Sequence, residues 1–148
     1  MKAILTLVIS NDIDPLLYLQ VTLDESGRLF YKKGDYSQGI ILFEEALRIK
    51  CRVYGLNENL DIAESMNNIG CTRVALASPL KALPIYLEAL RILKEVLQRV
   101  DILDPDVLLF QAMTLKNIGH TLFALKRFES SASYYQEACT VRKFLYFS

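Results

Sequence analysis

The chain has 148 residues, of which 52% are hydrophobic and 23% are charged. This composition is typical of a globular domain with a sizeable core, and it excludes an intrinsically disordered chain. Lysine and arginine together number 17, and so do aspartate and glutamate. A net charge of zero argues against a nucleic-acid partner and against an acidic membrane surface, because both attract an excess of positive charge.

Residues 1–14 form an N-terminal apolar segment, which we interpret as the remnant of a preceding helix. Its apolar run is barely long enough for a secretory signal, and no A-x-A cleavage site follows it. No stretch of the chain approaches the roughly 20 apolar residues of a membrane span. The three cysteines, Cys51, Cys71 and Cys139, are odd in number and form no C-x-x-C pair, which predicts a reducing, cytoplasmic location.

Capping patterns mark the starts of the predicted helices. Asp14-Pro15, Ser78-Pro79 and Asp104-Pro105 each place a capping side chain before a proline at the first helical position. Asp35 followed by Gln38 resembles a capping box. We therefore predict an all-α fold of six helices. Their expected ranges are 16–33, 36–53, 60–75, 79–101, 105–124 and 128–146.

A repeated triplet joins these helices into three units. A small residue, an aromatic residue and an alanine recur at positions i, i+4 and i+7, which share one helix face. The triplets are Gly39–Phe43–Ala46, Ala82–Tyr86–Ala89 and Ser131–Tyr135–Ala138. A glycine (Gly27, Gly70 or Gly119) stands 12 residues before each triplet. We expect the small residues to let two helices approach closely, in helix-turn-helix units near 16–53, 60–101 and 105–146.

These residues resemble the tetratricopeptide repeat, whose first helix carries an apolar-Gly pair and whose second carries A-x3-aromatic. MNNIG at 66–70 and LKNIG at 115–119 match the first phrase. The long repeat period and the Asn-Asn phrase resemble the kinesin light chain class. The resemblance implies a right-handed α-solenoid of about three units over residues 15–148. It also implies a scaffold or adaptor that binds a peptide segment of a protein partner in a concave groove.

In this family the first helix of each unit lines the groove. The resemblance therefore implies groove residues, which are Tyr31, Asn67, Asn68, Cys71, Lys116, Asn117, His120 and Phe123, with Asp24 also on the inner stripe of the first unit. Asn68 and Asn117 are equivalent, and a carboxamide offers donors and an acceptor to a peptide backbone. A capped or solvated asparagine is the alternative. Asp24, Met113 and Asn117 replace the cations of the carboxylate-clamp variant, so chaperone C-terminal tails are not expected ligands.

No pattern in the sequence predicts catalysis, a metal or a cofactor. His120 is the one histidine, and nothing places it with a nucleophile and an acid. No Cys/His spacing fits a zinc site and no glycine-rich loop fits a phosphate. An alternative function is structural assembly, including self-association through the C-terminal helix, because Phe144, Leu145, Tyr146 and Phe147 end the chain in apolar surface.

Overall fold

The computed structural model describes residues 15–55, 59–99 and 104–147. These residues form six helices and no strand, as predicted, and every helix boundary lies within two residues of its expected position. The interpretation of residues 1–14 lies outside the described residues. The helices are α1 (Pro15–Lys32), α2 (Tyr36–Tyr54), α3 (Leu60–Ala75), α4 (Pro79–Arg99), α5 (Pro105–Ala124) and α6 (Phe128–Phe147).

Short polar side chains fix three of the helix starts. The Asp35 carboxylate accepts a hydrogen bond from the Gln38 backbone N–H at 3.1 Å, and Asp104 accepts one from the second residue of α5 at 2.8 Å. Asn59 caps α3 in the same way, a cap that the sequence patterns did not reveal. The Ser78 hydroxyl behaves differently from the expectation, because it contacts the Leu76 carbonyl at 3.4 Å instead of an N–H of α4.

The three turns that join α1–α2, α3–α4 and α5–α6 share one geometry. In each, a residue with positive φ follows the first helix: Gly34 at 83°, Ala77 at 57° and Lys126 at 61°. The N–H of the next residue donates to the carbonyl five residues back, at 2.8 or 2.9 Å. This is the Schellman arrangement, in which glycine is the preferred residue because it alone adopts positive φ without strain.

Replacing Ala77 by glycine is therefore expected to raise the free energy of unfolding by about 0.5–1 kcal/mol. The reverse change, Gly34→Ala, is expected to lower it by a similar amount, although a Cβ at Gly34 would meet no atom within 4 Å. The loss would then come from backbone strain alone. Urea denaturation measures both changes, and a destabilised Ala77→Gly protein would contradict this account of the turn.

The helices form two compact units, residues 1–57 with α1 and α2, and residues 58–148 with α3 to α6. In unit 1, α1 packs against α2. Gly27 lies against the ring of Phe43, and a Cβ on Gly39 would stand 3.3 Å from the Gly27 carbonyl oxygen. Close backbone approach thus explains why small residues recur 12 positions apart.

Unit 2 repeats this packing twice. Gly70 lies under the Tyr86 ring and Gly119 under the Tyr135 ring, each tyrosine 16 residues after its glycine. The Ser131 hydroxyl donates to the Gly119 carbonyl at 2.7 Å, the serine counterpart of the Gly39 contact. The triplet residues are buried, apart from a half-buried Tyr135. The core cluster of unit 2 contains Ala82, Tyr86, Leu90, Leu115, Ile118, Leu122 and Ala138.

Candidate functional site

Helices α3 and α5, the first helices of the two repeats in unit 2, run side by side and in the same direction. The Asn67 Nδ2 donates to Thr114 Oγ1 at 2.7 Å, and farther along both helices the Asn117 Nδ2 lies 3.9 Å from Cys71 Sγ. Because both pairs advance along the chain together, the two helices are parallel, and each contact joins residues that are two or three positions away from equivalence in the repeats. We call the adjoining faces of α3 and α5 the stripe; of the implied groove residues, the structure brings Cys71 and Asn117 together there.

The two equivalent asparagines are half-buried members of this stripe. The Asn68 carboxamide makes no hydrogen bond with any other residue that the structure describes, since only its backbone carbonyl accepts one from Thr72. The Asn117 carboxamide has only the long contact to the Cys71 thiol, which is a weak acceptor. Both side chains thus keep donors and acceptors for a ligand.

Asn67 has a different environment from its neighbour Asn68. It is 6% exposed, and its Nδ2 is used by the hydrogen bond to Thr114 on the adjacent helix. Asn67 therefore joins the two repeats and presents almost no surface to a ligand. Its counterpart in the next repeat, Lys116, is exposed on α5.

Two tyrosines contribute hydroxyl groups to the same stripe. Tyr86 Oη donates to Cys71 Sγ at 3.2 Å, and Tyr135 Oη lies 3.1 Å from His120 Nδ1. Cys71 and His120 each follow the glycine that the tyrosine ring covers, so the two contacts are equivalent in the repeats. Sequence reasoning gave Tyr86 and Tyr135 only a packing role. The signal available in the sequence was a difference between the repeats. The first repeat has Phe43 at this position, whereas the second and third have tyrosines, which carry a hydroxyl group.

Aromatic pairs flank two of the turns. The Phe123 and Phe128 rings are 5.4 Å apart in an edge-to-face arrangement, and the side chains are 59% and 57% exposed. Tyr31 and Tyr36 form the same arrangement in unit 1, with centroids 5.1 Å apart. Tyr31 and Phe123 were expected groove residues, whereas their partners were missed because each lies across the turn on the second helix.

Asp24 does not lie on an exposed stripe, and that expectation is wrong. Its carboxylate is 2.8 Å from Lys50 Nζ, and both side chains are more than nine-tenths buried between α1 and α2. A buried carboxylate requires a nearby counter-charge, which Lys50 on the second helix supplies. Asp24 stands where the carboxylate-clamp variant would carry a cation, and in this chain it is part of the core of unit 1.

The described residues contain no group of three His, Cys, Asp or Glu side chains that could hold a metal ion. Burial raises the pKa of the Cys51 thiol, which keeps it protonated and weakly nucleophilic at neutral pH. Within residues 15–55, 59–99 and 104–147, no helix has the length and hydrophobicity of a transmembrane span.

Comparison with known proteins agrees with this architecture. A sequence model described as tetratricopeptide repeat matches residues 18–95, more than half of the chain, and a second with the same description matches residues 111–143. A search of curated proteins found no significant match.

Among solved structures, the fold is similar to BtubC (BKLC) from P. vanneervenii, with a TM-score of 0.77 and 18% identity. The match covers 97% of this chain and 54% of that one, so the chain spans about half the length of BtubC. The similarity confirms the predicted all-α fold of the α-solenoid class. The chain belongs to the tetratricopeptide repeat family.

Proposed function

We propose that the chain is a non-enzymatic adaptor that holds a peptide segment of a partner protein, in the manner of kinesin light chain-like proteins. Tetratricopeptide repeats generally mediate protein–protein interaction, and the stripe on α3 and α5 supplies the surface for it here. The proposed contact residues all lie in unit 2 and are Asn68, Cys71, Lys116, Asn117, His120 and Phe123.

The observation that carries this proposal is the pair of equivalent, uncommitted carboxamides on adjacent parallel helices. A carboxamide can donate to a peptide carbonyl and accept from a peptide N–H at the same time. Two of them in successive repeats would hold an extended backbone regardless of its side chains. The exposed Lys116, His120 and Phe123 around them would then select among sequences.

Replacing both asparagines, Asn68→Ala and Asn117→Ala, is expected to raise the dissociation constants of the captured peptides by about tenfold or more. Loss of two or more backbone hydrogen bonds accounts for this, at about 1 kcal/mol each. The measurement is selection from a random peptide library on the parent protein, followed by titration of the selected peptides against each variant.

A matched control replaces two exposed carboxamides on the second helices, Gln98→Ala and Gln136→Ala. This variant should bind the selected peptides as the parent does. Equal affinity of the parent and the Asn68/Asn117 variant for every selected peptide would refute the proposed contact. Circular dichroism melts of each variant would separate lost contacts from lost structure.

Self-association through α6 is a second candidate function, favoured by the exposure of Phe144, Tyr146 and Phe147. The Phe147 side chain is 87% exposed, so a partner surface would remove much apolar area from water. Light scattering of the same samples distinguishes the two candidates. A monomer at high protein concentration would count against assembly and leave peptide binding unaffected.

We place this activity in the cytoplasm. Three cysteines without a C-x-x-C pair suit a reducing compartment. The absence of any residue constellation for catalysis in the sequence supports an adaptor rather than an enzyme.

A further inference from the structure

The zero net charge of the chain argues against an acidic membrane surface for the molecule as a whole, but it does not describe how charge is distributed locally. One end of unit 2 carries exposed cations. Because α3 and α5 are parallel neighbours, the turns that follow them emerge at the same end of the unit. We call this end the turn edge and define it by residues 76–81 and 125–130 together with Phe123.

The turn edge combines cations with protruding apolar side chains. Lys81, Lys126 and Arg127 are exposed there, with Glu129 as the one exposed carboxylate among its residues. At the α3–α4 turn the most exposed apolar side chain is Leu80, at 64%. At the α5–α6 turn the most exposed apolar side chains are the paired Phe123 and Phe128. Lys126 and Arg127 form no ion pair with any described residue, so their charges are available to an anionic surface.

We propose that the turn edge of unit 2 docks on an anionic lipid surface. Phenylalanine rings that protrude from a turn need no complementary cavity in a bilayer, since they enter the region between headgroups and acyl chains. Lysine and arginine beside them are attracted by acidic headgroups. An acidic protein would match the cations but would also need pockets for three protruding side chains, so lipid is the better occupant.

Unit 1, considered by itself, carries the same chemistry at its own turn. Lys32 and Lys33 are exposed between Tyr31 and Tyr36, whose rings form the edge-to-face pair. An aromatic pair with two adjacent cations thus occurs at two turns of the described residues.

The test measures co-sedimentation of the full chain with phosphatidylcholine vesicles, with and without phosphatidylserine. We expect binding only to the vesicles that contain phosphatidylserine, and we expect added salt to weaken it. Lys126→Gly with Arg127→Gln should weaken binding by about tenfold or more. Because glycine suits the positive φ of residue 126, this variant should remain at least as stable as the parent. Phe128→Ser, as a variant of its own, should also weaken binding to the vesicles that contain phosphatidylserine.

The matched control, Arg142→Gln with Lys143→Gln, removes the same charge near the other end of α6, about 22 Å along the helix from Phe128. It should bind as the parent does. Failure of the parent to bind phosphatidylserine vesicles would overturn the proposal, and so would equal losses in the two charge variants. Binding to polyglutamate or duplex DNA without binding to vesicles would also overturn it and assign the edge to an acidic macromolecule.

Discussion

Replacing Lys50 by methionine is expected to lower the free energy of unfolding of unit 1 by about 3–5 kcal/mol. The change would leave the Asp24 carboxylate buried without its counter-charge, and Asp24 Oδ1 already has no hydrogen-bond partner among the described residues. Desolvation of that charge then acts entirely against folding. Hydrogen exchange of the α1 and α2 amides, together with urea denaturation, measures the loss within this unit.

The double variant, Asp24→Leu with Lys50→Met, should recover most of that stability, because it removes both charges and fills the space with apolar atoms. Lys33→Met, at an exposed position, is the control and should change little. Equal stability of Lys50→Met and the double variant would contradict this account. It would mean that the ion pair has no energetic role and that water solvates the Asp24 carboxylate in its absence.

Gly70→Ala is expected to destabilise unit 2 by about 1–3 kcal/mol. A Cβ there would lie 2.5 Å from Tyr86 Cε1 and 2.7 Å from Cζ, so the ring would have to move. Tyr86 is almost fully buried, and its hydroxyl donates to Cys71, which leaves the ring little room. The clash therefore outweighs the gain of about 1 kcal/mol that alanine brings within a helix.

The same substitution at the other two glycines, Gly27→Ala and Gly119→Ala, tests whether the cost in unfolding free energy follows the distance to the ring. Urea denaturation again measures it. At Gly27 a Cβ would lie 2.8 Å from the Phe43 ring, so a cost close to that of Gly70 is expected. At Gly119 the Tyr135 ring would be 3.1 Å away and is only half-buried, so alanine should be nearly neutral. Equal effects at Gly70 and Gly119 would show that ring contact does not explain these glycines.

The local features of this fold could be predicted because they depend on residues close together in sequence. Capping residues set the starts of α2 and α5, and the i, i+4, i+7 triplets identified the face that each second helix buries. The glycines 12 residues before them marked the first helices, since a residue without Cβ lets an aromatic ring lie directly against the helix backbone. Because these signals occur in three repeats at the same spacing, they could be distinguished from chance matches.

The environment of single polar side chains could not be predicted in this way, because it depends on which helix lies beside them. Asn67 and Asn68 are neighbours in sequence with the same chemistry, yet Thr114 on α5 covers the first and leaves the second half-exposed. Asp24 is buried because Lys50 reaches it from α2, and the cations of the turn edge share one end because α3 and α5 run parallel. The sequence by itself determined the helices and their repeat, since these follow from local periodicity. The tertiary structure decided which polar groups meet each other and which meet solvent, since that depends on distances between residues far apart in the chain.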